Sequence, residues 1–207
     1  GRSSGVTVTG NGQPGSNAIA IAEILQAVRQ QAAYQVMGAF CSEATRELDL
    51  ETACWLLAAT RYPELEPAPY RARLDQMARE LRERLTGKET PRSALEVASH
   101  YLFRILGFRG NAEDYYDPDN SYLNRVLDRR LGIPISLSLV YLLIGQRLGM
   151  PLQGVGLPGH FLLKWQSPTV ELFLDPFHAG RLLDRAECQQ LCEQLGYSFS
   201  PVYLAAS

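Results

Sequence analysis

The first half of the chain repeats apolar residues at intervals of three and four, which is the spacing of amphipathic helices. In the earliest segment, for example, Ile24 and Val28 fall on one face. The pattern predicts helices over residues 18–40, 50–60, 69–85 and 92–106. Because the opposite faces are mostly polar, each helix is expected to pack one side against a core and to leave the other in water.

The pattern changes after residue 106. Residues 107–120 are dense in Gly, Asn, Asp and Pro, as turns are, and residues 121–130 return to helical spacing. Residues 135–148 are apolar on nearly every face, which predicts a helix buried on all sides. Three stretches with strand character follow, over residues 152–157, 160–165 and 170–174. Strands that follow a central helix indicate an antiparallel sheet packed on that helix.

These patterns divide the chain into three parts. Residues 1–17 are rich in Gly, Ser and Asn and have no apolar face, so they are interpreted as a disordered tail or a remnant of protein expression. Residues 18–106 are predicted to form a helical N-terminal region, and residues 107–207 are predicted to form the core. The expected fold class is α+β, with a central buried helix packed on a small antiparallel sheet.

Composition narrows the classes of partner. The 207 residues are 46% hydrophobic and can bury a real core, and 20 Lys and Arg are interleaved with 22 Asp and Glu for a formal net charge of -2. This mixture argues against nucleic acid and anionic membranes as partners. No apolar run approaches the roughly 20 residues that cross a bilayer, and no basic segment leads into an apolar one near the start. We expect a cytoplasmic protein without a cofactor.

The four cysteines are Cys41, Cys54, Cys188 and Cys192. Only the last two are close in sequence, and their spacing of four puts them on one face of a helix. A tetrahedral zinc set needs further Cys or His ligands nearby, and none follows in the sequence. Four cysteines could form two disulfides, bind a metal or remain isolated thiols, and we interpret them as isolated thiols.

The residues with the clearest chemical potential are His160 and Asp175. His160 opens a predicted strand directly after Pro158-Gly159, and Asp175 ends the next predicted strand fifteen residues later. For adjacent antiparallel strands joined by a short turn, this separation can bring the carboxylate beside the imidazole. A carboxylate in that place fixes the tautomer of the histidine and stabilises its protonated form.

Candidate nucleophiles for this pair lie in the segment Gly132-Ile-Pro-Ile-Ser-Leu-Ser138, which enters the buried helix. Ser136 or Ser138 would present its hydroxyl at the helix N-terminus, where unpaired N–H groups and the helix dipole favour a developing oxyanion. A serine at a helix start is more often a cap than a nucleophile. Both interpretations stay open at this stage.

Other polar residues also have two interpretations. Asn120, Tyr122 and Asn124 can line the mouth of a cleft, or can simply build the turn and cap the helix that follows. His178 could join His160 and Asp175 in binding a metal, because imidazole and carboxylate are standard ligands. Without a further well-spaced ligand, no metal is predicted, and His178 and His100 are treated as structural.

Longer motifs identify a family resemblance. The segments GFRGN, YYDPDNSYLNRVLDRR, GIPISLS, GLPGHF and DPF, within about residues 45–187, resemble the SirB-type, transglutaminase-like proteins of bacteria. The resemblance implies a papain-like fold in which a cysteine begins the central helix, a histidine opens a strand and an aspartate lies on the next strand. His160 and Asp175 match this order. The cysteine does not match, because the helix start offers Ser136 and Ser138 instead.

Three hypotheses follow. In the first, the protein is an amide-directed hydrolase or acyl-transferase, with Ser136 as nucleophile, His160 as general base and Asp175 as orienting group. In the second, it is an inactive scaffold that binds a peptide or protein partner in the old cleft. In the third, the three residues are a buried polar network that fixes the core. A serine hydroxyl bonded to His160 and an open cleft would favour the first hypothesis.

Overall fold

The computed structural model describes residues 23–28, 30–32, 35 and 49–205. The described residues before position 49 are all helical, in agreement with the helix predicted over 18–40. The predicted tail, residues 1–17, and Cys41 lie outside the described residues.

Three α-helices begin the main body: α1 (Leu50–Arg61), α2 (Pro67–Arg84) and α3 (Pro91–Ser99). Helix α1 starts after Asp49, whose carboxylate accepts a hydrogen bond from the Glu51 N–H. Helices α2 and α3 each start at a proline, which suits a first helical position because its missing N–H has no partner there anyway. The bounds of α1 and α2 lie within two residues of those predicted from the periodicity.

The helix predicted over residues 92–106 changes its winding part-way. After α3, residues His100–Ile105 form a π-helical turn, and the Leu106 N–H donates to the Tyr101 carbonyl five residues back, at 2.9 Å. Three consecutive side chains in this turn are buried: Tyr101, Leu102 and Phe103. The apolar pattern alone could not separate this winding from an α-helix.

Residues 109–194 supply the other helices and strands. They are β1 (Arg109–Gly110), α4 (Leu123–Arg129), β2 (Leu131–Gly132), α5 (Pro134–Arg147), β3 (Leu152–Leu157), β4 (His160–Gln166), β5 (Glu171–Asp175), β6 (Arg181–Leu183) and α6 (Arg185–Gln194). Two short 3-10 helices, Pro118–Asn120 and Pro201–Leu204, complete the described part. Strands β1 and β2 pair in parallel, whereas the remaining strands form one antiparallel sheet in the order β3-β4-β5-β6.

The predicted α+β class is therefore confirmed, with the central helix and the three predicted strands in their expected places. Helix α5 buries ten of its fourteen residues, as its apolar pattern predicts. The sequence pattern did not predict strands β1, β2 and β6, because two or three residues are too few to show the alternation of apolar and polar residues.

The sheet separates two clusters of buried side chains. Successive residues of β4 point to opposite faces, so Leu163 joins the larger cluster around α5, and Leu162 joins the smaller cluster beneath α6. The larger cluster also takes in side chains of α1, α2 and α3, such as Trp55 and Leu95. The helices on both sides of residue 106 thus share one core, and the predicted division at that residue stays a prediction.

In the described ranges, none of the helices combines the length and the apolar character that a membrane span needs.

Candidate functional site

The sheet brings His160 and Asp175 side by side. His160 is the first residue of β4 and follows a turn in which Gly159 takes a positive φ of 75°, and Asp175 is the last residue of the neighbouring strand β5. The His160 Nε2 lies 2.9 Å from the Asp175 Oδ2. Both side chains are nearly inaccessible, with 7% and 3% of their surfaces exposed. The pair lies at the ends of adjacent strands, where the sequence analysis expects it.

The Asp175 carboxylate accepts four hydrogen bonds. Its Oδ2 is approached by His160 and also by the Nδ1 of His178, at 2.7 Å. Its Oδ1 accepts from the backbone N–H groups of Phe177 and His178, at 3.0 and 3.2 Å. Burial alone would raise the pKa of Asp175. The hydrogen bonds and charge interactions with the two histidines lower it by more than burial raises it, so the pKa lies below its ordinary value.

These contacts determine where the imidazole protons are. An ionised carboxylate only accepts hydrogen bonds, so the His160 Nε2 and the His178 Nδ1 must both carry protons to bond with it. In a neutral His160, the lone pair is then on Nδ1, the nitrogen on the far side of the ring from Asp175. The Nδ1 of such a ring has the lone pair that a general base needs.

His160, Asp175 and His178 form a hydrogen-bonded cluster. The sequence predicted only a structural role for His178. It lies three residues after Asp175, in a turn closed by a hydrogen bond from the Gly180 N–H to the Asp175 carbonyl at 2.8 Å. Its side chain is 57% exposed, unlike that of His160. The run from Asp175 to His178 in the sequence was a usable signal, because a turn that reverses the chain can fold a histidine back onto an aspartate three residues earlier.

The hydroxyl of Ser136 bonds to the backbone. It donates to the Asn120 carbonyl at 2.6 Å and accepts from the Ile133 N–H at 3.0 Å. Ser136 occupies the third position of α5, is 1% exposed, and caps its own helix. The first position of α5 is Pro134, which has no nucleophilic group.

Ser138 is equally enclosed. It is fully buried, and its hydroxyl donates to the Pro134 carbonyl one turn earlier, at 2.8 Å. Within the described ranges, no hydrogen bond joins either Ser136 or Ser138 to His160. Of the predicted centre, the structure therefore brings His160 and Asp175 into contact. Both serine hydroxyls instead donate hydrogen bonds to backbone carbonyl groups.

Asn120, Tyr122 and Asn124 lie on the loop and helix beside Ser136. Asn120 is fully buried, and its side-chain amide donates to the carbonyls of Asp114 and Tyr115, at 2.7 and 3.1 Å. Tyr122 precedes α4, and Asn124 is buried in its first turn. Asn120 thereby shapes the loop that supplies the carbonyl for Ser136.

Two arginines of α4 hold the same loop from its outer side. Arg129 pairs with Asp117 at 2.6 Å, and Arg125 pairs with Asp119 at 2.8 Å. Asp119 also accepts a hydrogen bond from the hydroxyl of Tyr62, the residue that caps the end of α1. The loop is therefore tied to both α1 and α4.

A row of aromatic rings leads from the histidines to the surface. Phe177 has edge contacts with His160 and Tyr115, at ring-centroid distances of 6.3 and 6.0 Å, and Tyr115 in turn contacts Tyr116 at 5.4 Å. Gly110 makes room for this row, because a Cβ atom there would lie 2.6 Å from the Phe177 ring. The row ends in solvent, where Tyr116 is 91% exposed.

The described thiols do not supply a nucleophile near this site. Cys54, Cys188 and Cys192 are buried and unpaired. Burial raises the pKa of Cys54 and of Cys188 to about 12, so both thiols are protonated at neutral pH. For these three residues the structure agrees with the interpretation of isolated thiols.

Comparison with known proteins identifies the family. The sequence profile of the transglutaminase-like superfamily matches residues 68–207. The chain belongs to the transglutaminase-like superfamily. The match begins inside α2, so the transglutaminase-like region includes most of the helices before the central one.

Relatives of this transglutaminase-like chain occur in bacteria and animals. The chain is 39% identical to a UPF0162 protein of Xylella fastidiosa over 143 residues, which are 69% of this chain and 51% of that protein. It is 29% identical to a UPF0162 protein of Vibrio cholerae over 140 residues, which are 67% and 52% of the two chains. It is 41% identical to human F-box only protein 21 over 114 residues, which are 51% of this chain and 18% of that protein.

The transglutaminase-like chain spans about half the length of the bacterial relatives. No solved structure matches it significantly.

The role of Ser136 in this transglutaminase-like fold can be tested by stability. Replacing Ser136 with alanine removes a cap and leaves the Ile133 N–H and the Asn120 carbonyl without this partner, so the free energy of unfolding is expected to fall by about 1–2 kcal/mol. Ser138→Ala is the matched control. It removes only a bond to a carbonyl one turn earlier, so we expect a change within about 0.5 kcal/mol. Urea denaturation measures both, and equal effects would contradict the capping role.

Proposed function

We propose that this chain is a non-catalytic transglutaminase-like module that binds a peptide or protein segment beside His160 and Asp175. The observation that carries the proposal is the bonding of Ser136 and Ser138, whose hydroxyls donate to backbone carbonyls inside the fold. A serine nucleophile has one proton, which it must give to its base as it attacks. In this fold the hydroxyl proton of each serine is instead donated to a backbone carbonyl, that of Asn120 for Ser136 and that of Pro134 for Ser138.

Access argues in the same direction. Ser136 is 1% exposed and Ser138 is fully buried, so an acyl carbon could reach either oxygen only after the start of α5 opened. Opening it would also break the hydrogen bonds of Ser136 to Ile133 and Asn120. The start of the helix, where the family resemblance implies a cysteine, begins with Pro134 and has no cysteine. Among the described residues at the start of α5, neither serine is therefore placed for nucleophilic attack, although a histidine and a carboxylate are in contact nearby.

The surroundings of His160 suit binding. Tyr115 and Tyr116 extend the aromatic row outward with 38% and 91% of their surfaces exposed, and tyrosine is enriched at protein interfaces because it combines a large apolar ring with a polar tip. The relatives add support, since a similar stretch forms 18% of human F-box only protein 21. A segment that recurs as a small part of a longer chain is typical of a module.

One observation favours the rival function, a Ser–His–Asp amide hydrolase or acyl-transferase. The contact between His160 and Asp175 is the arrangement that orients a general base, and it leaves the Nδ1 of His160 available to accept a proton. This hypothesis needs Ser136 to exchange its bond with Asn120 for one with His160. The SirB-type assignment is likewise a proposal, which rests on the motifs GIPISLS, GLPGHF and DPF.

A fluorophosphonate probe separates the two functions, because it forms a covalent bond with activated serines. We expect no mass increase in the intact wild-type protein under conditions that fully label a known serine hydrolase, and the same result for Ser136→Ala, Ser138→Ala and His160→Ala. A label on wild type that disappears in both Ser136→Ala and His160→Ala would contradict the proposal and establish the hydrolase.

Binding is tested on the same protein with a phage-displayed peptide library. We expect selected peptides whose affinity falls about tenfold or more in Tyr116→Ala, in line with the 1–3 kcal/mol of a typical aromatic contact at an interface. Leu57→Ala, which alters an exposed apolar residue of α1, is the control and should leave the affinity unchanged. A failure to select any peptide, or equal losses in the two variants, would contradict binding at this site.

A further inference from the structure

Three potential metal ligands meet at the end of the sheet. They are the Nε2 of His160, an oxygen of Asp175 and a ring nitrogen of His178, and all three atoms lie within 4.8 Å of one another. The two histidine nitrogens approach the same carboxylate oxygen, at 2.9 and 2.7 Å. Two imidazoles that converge on one carboxylate oxygen form a compact donor set.

We propose that His160, Asp175 and His178 form a binding site for a divalent transition metal such as Zn²⁺. Imidazole and carboxylate are ordinary ligands of this ion, and three protein ligands are the number found in zinc sites that keep one position open. Tetrahedral bonds of about 2.0–2.1 Å would put the ligand atoms about 3.3 Å apart. Each histidine nitrogen would therefore have to move about half an ångström away from the Asp175 oxygen. The two nitrogens, which lie within 4.8 Å of each other, would also have to reach the same separation of about 3.3 Å, which requires the His178 ring to turn.

The site is organised before a metal arrives. The other carboxylate oxygen of Asp175 is held by the backbone N–H groups of Phe177 and His178, which fixes the direction of the Oδ2. Such supporting hydrogen bonds orient the ligands of metal sites and strengthen binding. The ring of His160 is held in addition by an edge contact with Phe177. Only the His178 ring has to move substantially, and its side chain is 57% exposed.

An entry path exists on the side of His178. Asp175 and His178 line a cleft of about 350 Å³ together with Arg181 and Glu187. The positive charge of Arg181 would oppose a cation, but its guanidinium is hydrogen-bonded to the Glu187 carboxylate at 2.9 Å. A cation can therefore approach the carboxylate of Asp175 through the cleft and can keep one coordination position toward solvent.

The same contacts form a metal-free hydrogen-bonded cluster, and the imidazole protons distinguish the two states. Without metal, the protons that bond to Asp175 lie on the Nε2 of His160 and on the Nδ1 of His178. A metal takes those same nitrogens, so the proton of each neutral ring moves to its other nitrogen. Binding at this site predicts a tautomer exchange in both rings, whereas Zn²⁺ bound elsewhere leaves both unchanged.

The first experiment is a Zn²⁺ titration of untagged, chelator-treated protein, followed by equilibrium dialysis and elemental analysis. We expect one Zn²⁺ per chain at micromolar free metal, with an affinity at least tenfold weaker in His178→Ala and in His160→Ala. The third histidine supplies the matched control, because His100→Ala alters an exposed histidine of the π-helical turn and should bind as wild type does. His178→Ala is expected to fold, since its side chain is largely exposed.

Two results would overturn the metal site. One is the absence of stoichiometric Zn²⁺ uptake by wild type, and the other is equal uptake by wild type and His178→Ala. Long-range ¹H–¹⁵N spectra of the histidine rings supply the second measurement: tautomer exchange in His160 and His178 on adding Zn²⁺ supports the site, and unchanged rings in a zinc-loaded protein contradict it. Because none of these measurements involves a peptide, the site can fail while the proposed binding function stands, or the reverse.

Discussion

Replacing Asp175 with alanine is expected to lower the free energy of unfolding by about 3–5 kcal/mol, which is a large share of the stability of a domain this size. The carboxylate is 2% exposed and accepts four hydrogen bonds, so its removal leaves two ring nitrogens and two backbone N–H groups without this partner. Urea denaturation in the presence of a chelator measures this loss without a contribution from bound metal.

His178→Ala is the control for that measurement. This substitution removes one of the four hydrogen bonds to Asp175, and the side chain that is lost is largely exposed to water. The free energy of unfolding should therefore fall by no more than about 1 kcal/mol. Equal losses in Asp175→Ala and His178→Ala would contradict the view that the carboxylate organises this end of the sheet.

The same carboxylate predicts a dependence of stability on pH. The pKa of Asp175 is lowered in the folded protein, so the stabilisation that it supplies is present above the unfolded pKa, about 3.9, and is lost as the pH falls through the folded value. Between about pH 5 and the acid limit of folding, wild type should therefore lose more stability than Asp175→Asn does. Parallel pH profiles for the two proteins would contradict the lowered pKa.

Gly180→Ala is expected to destabilise the fold by a comparable amount, about 3–5 kcal/mol, for a steric reason. Gly180 has a φ of 73°, and a Cβ atom there would lie 2.2 Å from the Ser99 Oγ and 2.5 Å from the Ser99 Cβ. The substitution therefore combines a left-handed backbone with a clash against a buried residue of α3. Thermal and urea denaturation measure the loss.

Gly87→Ala isolates the two contributions. Gly87 has a similar φ of 78°, but no atom lies within 4 Å of its added Cβ, so the variant bears the backbone strain alone and should lose about 1 kcal/mol. The difference between the two variants then reports the clash with Ser99. Equal losses of stability in the two variants would contradict a steric clash between residue 180 and Ser99.

The fold class and the pairing of His160 with Asp175 could be predicted from local patterns in the chain. Apolar spacing located α1, α2 and α5 and the strands β3, β4 and β5, because these segments are long enough for a periodicity of 3.6 or 2 to show. A histidine at the start of one strand and an aspartate at the end of the next indicated that His160 and Asp175 would be close. Those inferences depend on local patterns and on the geometry of adjacent antiparallel strands.

The hydrogen-bond partners of the other polar groups at the candidate site depend on contacts between distant parts of the chain. The hydroxyl of Ser136 had two interpretations in the sequence, and the loop carbonyl of Asn120, sixteen residues away, directs it into the backbone. The third member of the cluster, His178, depends on a turn that folds it back onto Asp175. Hydrogen-bond partners of this kind are set by the packing of loops, and loop packing leaves no periodic signal in the chain.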